Sequence, residues 1–299
     1  MEAQSAVLLA GPTGDLGTRI AKALVSRGAD LRALVRIDAP DAHLERLAQL
    51  GVTIQPADVA DVESVASACE GVSCVVSALN GLREVIVDRQ SLLLEAAVKA
   101  RVPRLISSDY SADFTKTSPG DNRNLDLRRE FMGRADRADI EVTSILSGAF
   151  MDMLGAEMPI IQPRLHRVLY WGDADQQLDF TRKDDVAAYV AAAALDEETP
   201  RVLRIAGDTL SARDVAAAMS EATGTRYRTL WMGGVGALGV MIRLAKLLAP
   251  QPRAAFPPWQ GMQYMRDMFS GRGKLHPLDN ARYPEVDWTS VRELLAQRA

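Results

Sequence analysis

The chain has 299 residues, 47% of them hydrophobic, 25% charged and only 5% aromatic, which is the profile of a folded globular protein and excludes a disordered or fibrous one. Its 35 basic and 39 acidic residues leave a formal charge of −4 without a basic arm in either half, so the electrostatic footprint of a nucleic-acid binder is absent. Cys69 and Cys74, with three scattered histidines (His43, His166 and His276), cannot form a disulfide framework or a closely spaced zinc set; they read as small buried thiols, and no metal is expected. The N-terminus lacks a signal-peptide pattern, and the longest apolar stretch, 229–242, meets Arg243 and Lys246 before it reaches the roughly 20 residues of a membrane span. A cytoplasmic protein is expected.

In chain order, residues 6–10 (AVLLA) form a continuous apolar run, as expected of a strand buried on both faces. Residues 15–27 then place Leu16, Ile20 and Leu24 on one helical face, with Gly28 at the position of a C-terminal cap. Further strands are expected at 31–36, 52–55, 73–79, 104–108 and 141–146, with helices such as 91–100 between them. This alternation predicts an α/β fold, a doubly wound parallel sheet of six strands that binds ligand at the carboxyl ends of its strands. A dinucleotide-binding domain over 1–150, with parts of 170–207 packed on it, is expected beside a smaller α+β substrate lobe over 151–299. In that lobe, Thr181 to Asp184 and Ser211 to Asp214 read as capping signals, each opening an alanine-rich helix.

Two glycine motifs compete for the phosphate-binding role. In Gly11-Pro12-Thr13-Gly14-Asp15-Leu16-Gly17, glycines join a buried strand to an amphipathic helix, where the backbone must turn tightly and approach a pyrophosphate. Gly234 to Gly239 matches the literal G-x-G-x-x-G string but lacks a following strand-helix-strand unit, so it reads as flexible packing or a lid. Arg36, at the end of the second strand, offers a permanently charged fork for a 2′-phosphate and favours NADP(H) over NAD(H), although Asp38 could instead bind ribose. Asp58, followed by Val59, is placed to accept from the adenine amino group or to cap a helix.

The ordered segments GPTGDLG, LVR, PADVAD, VVSALNG, RLISSDYSADF and VTSILSGAFMDM resemble the NmrA-like branch of atypical short-chain dehydrogenases, which includes isoflavone-reductase-like enzymes and redox-sensing regulators. The resemblance spans about residues 6–207. It implies an NADP-binding Rossmann domain of strand order 3-2-1-4-5-6, with a nicotinamide-side surface at Ala78, Leu79 and Asn80, at Ser107 and Ser108, and at Gly148, Ala149 and Phe150. The chain also departs from these relatives. Tyr110 is followed four residues later by Phe114 instead of the lysine of a Tyr-x-x-x-Lys dyad, and Arg128 stands where the isoflavone-reductase-like branch carries its lysine. An arginine can stabilise an anion but cannot serve as an ordinary proton donor.

Arg128, Tyr110 and Ser108 are therefore the candidate catalytic groups. Arg128 and Arg129 read equally well as helix-surface charges paired with Asp126 and Glu130, while Lys116 becomes a donor only if its loop folds back over the nicotinamide. Tyr110, Phe150, Met151, Met153, Trp259, Met262 and Tyr264 are expected to wall a pocket for a small hydrophobic substrate, with plain core packing as the alternative. The expected activity is NADPH-dependent hydride transfer to a carbonyl, enone, imine or quinone-like carbon. A non-catalytic NADP(H) sensor acting through a protein partner, or an NADP-dependent isomerase or cyclase, fits the same residues.

Overall fold

The computed structural model describes residues 6–154, 158 and 160–298. Its first six strands are β1 (Ala6–Ala10), β2 (Asp30–Val35), β3 (Thr53–Pro56), β4 (Val72–Ser77), β5 (Arg104–Ser107) and β6 (Glu141–Leu146). The helices among and after them are α1 (Asp15–Ser26), α2 (Asp41–Gln49), α3 (Val62–Ala68), α4 (Gln90–Lys99), which a π-helical turn at Glu84–Arg89 precedes, and α5 (Arg123–Ala135).

β3-β2-β1-β4-β5-β6 pair in parallel in that order, as the resemblance implies. The all-apolar β1 sits at the centre, and the winding reverses between it and β4. The sheet has seven strands and not the expected six: β11 (Val202–Arg204) adds beside β6. Ile20, Ala21 and Leu24 turn α1 toward the core, and Gly28 ends it at φ +75°, a conformation a Cβ disfavours, with its N–H on the Val25 carbonyl at 2.9 Å.

The chain contributes to two compact units in turn. The first comprises 1–109, 127–145 and 186–203; the second comprises 110–126, 146–185 and 204–299. In the first unit the buried Arg104 donates to the Ala193 and Ala194 carbonyls at 3.1 and 2.9 Å, near the end of α6 (Lys183–Leu195), so the helix C-terminus receives a cation.

The second unit holds two three-stranded sheets. One contains β7 (Ala149–Phe150), β10 (Leu178–Thr181) and β12 (Asp208–Leu210); the other contains β8 (Ile161–Gln162), β9 (Arg167–Tyr170) and β13 (Arg228–Trp231). With them stand α7 (Ala212–Thr223), α8 (Val235–Leu248), α9 (Pro258–Phe269) and α10 (Val291–Arg298).

The capping box expected at Ser211 and Asp214 is present, with the Ser211 N–H on the Asp214 carboxylate at 2.9 Å and the Asp214 N–H on the Ser211 hydroxyl at 3.2 Å. The signal at Thr181 is corrected. Its hydroxyl donates to the Ser147 carbonyl at 2.7 Å, and the Asp152 carboxylate accepts from the Lys183 N–H at the start of α6. Gly234 to Gly239 opens α8: Gly234 is its N-cap, and Gly236 and Gly239 lie inside that helix.

Candidate functional site

In the first unit, the carboxyl ends of β1, β4 and β5 meet where the winding reverses. Gly11 leaves β1 at φ +81°, and a Cβ on it would stand 2.9 Å from the Ala78 carbonyl oxygen. Gly17 lies tighter still, since its Cβ would come within 2.0 Å of the Gly11 carbonyl oxygen; only glycine lets α1 sit this close to the turn. Gly14 has a different task. It is the N-cap of α1 at φ −73° and supplies no side chain to the helix N-terminus, and its nearest obstacle to a Cβ is 3.6 Å away. Thr13, Gly14 and Asp15 are exposed and Leu16 half-buried. An exposed helix N-terminus that no side chain caps fits the pyrophosphate of a dinucleotide, which the helix dipole and backbone N–H groups would hold.

The neighbouring strand ends are tied to this turn. The Ala78 N–H donates to the Ala10 carbonyl at 2.8 Å, and the Ser108 hydroxyl donates to the Leu79 carbonyl at 2.6 Å. The buried Gln90 accepts from the Ser108 N–H at 3.0 Å. Ser108 thus fixes the loop after β4, and Asn80 at its tip is exposed.

Arg36 and Asp38, rivals in the sequence, stand side by side after β2, with 3.5 Å from Nε to carboxylate and both exposed. Asp58 accepts from the Ala60 N–H at 3.0 Å; the cap of α3 is Asp61, which accepts from the Ser64 N–H at 3.2 Å, so the capping alternative for Asp58 is corrected. Val59 is half-buried against the core of this unit.

Beside the glycine turn lies a cavity of about 260 Å³ whose lining includes Pro12, Thr13, Thr18, Lys22, His43 and Arg46. The sequence reading missed its three basic residues. Their signal was helical spacing, Thr18 to Lys22 on α1 and His43 to Arg46 on α2, but which faces converge is decided by tertiary packing.

Arg128 is not a helix-surface charge. It is buried on α5, and its charge acts on the fully buried Asp109 carboxyl. Burial pushes the Asp109 carboxyl up from its ordinary range, opposed by hydrogen bonds from Ser107 and Ser144 and by the charges of Arg128 and Arg201. Of the partners expected for Arg128, Glu130 pairs with Arg83 and Arg134, and Asp126 accepts from the Gly120 N–H at 2.9 Å. Ser107 is buried too, its hydroxyl committed to Asp109.

The remaining candidates belong to the second unit. Tyr110 and Phe114 are buried. Lys116 is anchored, with Nζ donating to the Lys274 and His276 carbonyls at 3.0 and 2.9 Å and standing 3.3 Å from Asp113. The ammonium is thus part of a structural tie, and the condition for a donor role, a loop folded back over a nicotinamide, gains no support from it. Gly148, at φ +67°, abuts Asp179, and the Ala149–Phe150 strand pairs with β10. The Lys183 ammonium lies 5.5 Å from the centre of the half-buried Phe150 ring.

Met151 is wholly buried in the core of this unit, with Met153 and Met262 packed against it. Trp259 is also buried, its Nε1 donating to the Pro250 carbonyl at 2.8 Å and its ring flanked by Arg123 and Lys246. Met151 and Trp259 are thus structural, and Phe150 and Tyr264 keep partial exposure. Both cysteines are free and buried, with burial raising Cys69 to about 12 and Cys74 to about 11, so neither is a nucleophile at neutral pH.

The isoflavone reductase homolog IRL of Zea mays is 28% identical over 242 residues, 75% of this chain and 76% of that protein. Pinoresinol reductase 1 of Arabidopsis thaliana is 28% identical over 210 residues, 64% of this chain and 65% of its own length. The solved structure of AtPrR2 with NADP+ and (+)pinoresinol covers 100% of both chains at a TM-score of 0.82 and 22% identity, which is a likeness of fold. The NmrA-like family model matches residues 3–232, and the chain belongs to the NmrA-like family.

Proposed function

We propose that the chain is an NADPH-dependent reductase that delivers hydride to a polarised carbon of a hydrophobic small molecule, a carbonyl, enone, imine or quinone-like centre. The observation that carries this reading is the exposed N-terminus of α1, left without a side-chain cap at the point where the sheet reverses and neighboured by Arg36 after β2. Relatives that bear the names isoflavone reductase homolog and pinoresinol reductase support a reductase over other uses of the fold.

In this reading residues 11–17 hold the pyrophosphate, and Arg36 receives the 2′-phosphate with its planar fork. When bound, the nicotinamide supplies the hydride. Ser108, spent on the Leu79 carbonyl, keeps the β4 and β5 ends in register instead of donating to substrate. Arg128, whose charge acts on the buried Asp109, stabilises negative charge that develops on a substrate oxygen, and the proton comes from water.

A sensor without chemistry draws on two observations: position 128 holds an arginine, a residue type that does not serve as an ordinary proton donor, and Lys116 is anchored to backbone carbonyls. The two readings part in one assay. Incubation of the protein with NADPH and a panel of electrophilic aromatics, followed by the absorbance of the reduced nicotinamide, gives substrate-dependent oxidation for a reductase; cofactor bound but unconsumed across the panel favours the sensor.

A further inference from the structure

Helix α8 carries a feature that cofactor binding does not use. Val240, Met241, Leu244, Leu247 and Leu248 recur at i, i+1, i+4, i+7 and i+8, which places them on one helical face. That face is open to solvent, with Leu247 77% and Leu248 82% exposed, while Leu238 and Ile242 on the other side are buried. Leu230, Trp231 and Met232, just before the helix, are exposed as well. Monomeric proteins rarely leave an apolar face of this kind open without a use for it.

The charges around it point one way. Residues 222–266 hold six of the chain's 35 basic residues and none of its 39 acidic ones, although the whole chain is acidic at −4. Arg243 borders the apolar face, and Arg253 follows in the next loop, both exposed. Lys246 sits over the Trp259 ring. A second copy fits this face poorly, because it would bring the same excess of positive charge, the segment 222–266 having no carboxylate to neutralise it. An anionic bilayer supplies the two partners the face lacks, an apolar phase for the leucines and phosphate for the cations. The helix has 14 residues and spans about 21 Å, short of a hydrocarbon core of about 30 Å, so it would lie along the interface and not cross it.

We infer that the outer face of α8 is an amphipathic docking surface for an anionic phospholipid bilayer. The test is co-sedimentation of the full chain with vesicles of phosphatidylcholine alone or with about one third phosphatidylglycerol, a fraction at which anionic-lipid attraction acts. The wild type binds the anionic vesicles, and raising the salt weakens that binding. Leu247→Ser with Leu248→Ser lowers it more than tenfold through lost apolar burial. Arg243→Glu with Arg253→Glu lowers it about tenfold or more. These positions are exposed, so the melting temperature and circular dichroism stay those of the wild type; the single Leu248→Gln variant repeats the test if the serine pair does not fold. Three outcomes overturn the inference: no binding to anionic vesicles at low salt, equal binding by wild type and leucine variants, or a wild-type dimer that the leucine variants abolish.

Discussion

Replacing Gly14 by Asp separates cofactor binding from fold stability more sharply than any other change in the N-terminal turn. Gly14 is the N-cap of α1 at φ −73° and ψ 165°, a conformation any residue can adopt, and a Cβ there meets nothing closer than 3.6 Å. An aspartate fits without strain. In the cofactor-free protein it caps the helix N-terminus and complements the dipole, a gain of about 0.5 to 1.5 kcal/mol over glycine. At about 2 to 4 °C per kcal/mol, the melting temperature rises by about 1 to 6 °C.

The same carboxylate occupies the helix N-terminus in place of the pyrophosphate and repels it. Loss of even one charge-assisted hydrogen bond of about 1.5 to 3 kcal/mol weakens NADPH roughly tenfold to a hundredfold. Gly17→Ala behaves differently. Its Cβ, 2.0 Å from the Gly11 carbonyl oxygen against an ordinary contact of 3.4 Å, forces a backbone displacement of about 1.4 Å, so stability and affinity fall together. Calorimetric titration and thermal unfolding read both quantities. A Gly14→Asp protein that binds NADPH like the wild type would refute the placement of the pyrophosphate on α1.

Arg36→Ala should weaken NADPH roughly tenfold to a hundredfold and leave NADH nearly unchanged; equal losses in calorimetry would make Arg36 structural and hand the ribose to Asp38. Arg128→Ala should cost about a hundredfold to a thousandfold in single-turnover rate while NADPH affinity persists, and Arg128→Lys should retain more of the rate; wild-type rates in both would remove Arg128 from the chemistry. Asp267 on α9 gives a pH signature. It is buried, which lifts its carboxyl to about 6 against the hydrogen bond from Asn122 at 2.9 Å and the charge of Arg266. Because the folded form keeps a proton that the unfolded chain has released, this group's stabilisation is present below about pH 4 and is lost as pH rises through 6, a change of about 3 kcal/mol. Asp267→Asn should flatten the dependence of melting temperature on pH between 4 and 6 and raise stability at pH 7; an unchanged slope would contradict it.

What was legible in the sequence is what neighbours along the chain decide. The strand, glycine turn and helix at 6–26, the terminating Gly28 and the Ser211 to Asp214 box each rest on contacts within a few residues, and all appear as expected. The surface-charge alternative for Arg128 rests on Asp126 and Glu130 two residues away, whereas the carboxyl its charge acts on, Asp109, comes from another part of the chain. Thr181 was misread because Asp152 reaches the start of α6 from outside the local window. Gly236 and Gly239 lie inside α8, where they are outweighed by helix-favouring Ala, Leu, Met, Arg and Lys. The basic lining beside the glycine turn required two helices to converge, which no single periodicity reveals.

The most direct test of the central claim is the fate of the hydride. NADPH deuterated at the transferring carbon of the nicotinamide, incubated with the protein and a substrate from the electrophilic panel, should yield a product that carries one deuterium, in amounts matching the cofactor oxidised. A product without deuterium, or NADPH recovered intact from every member of the panel despite binding, would contradict hydride transfer.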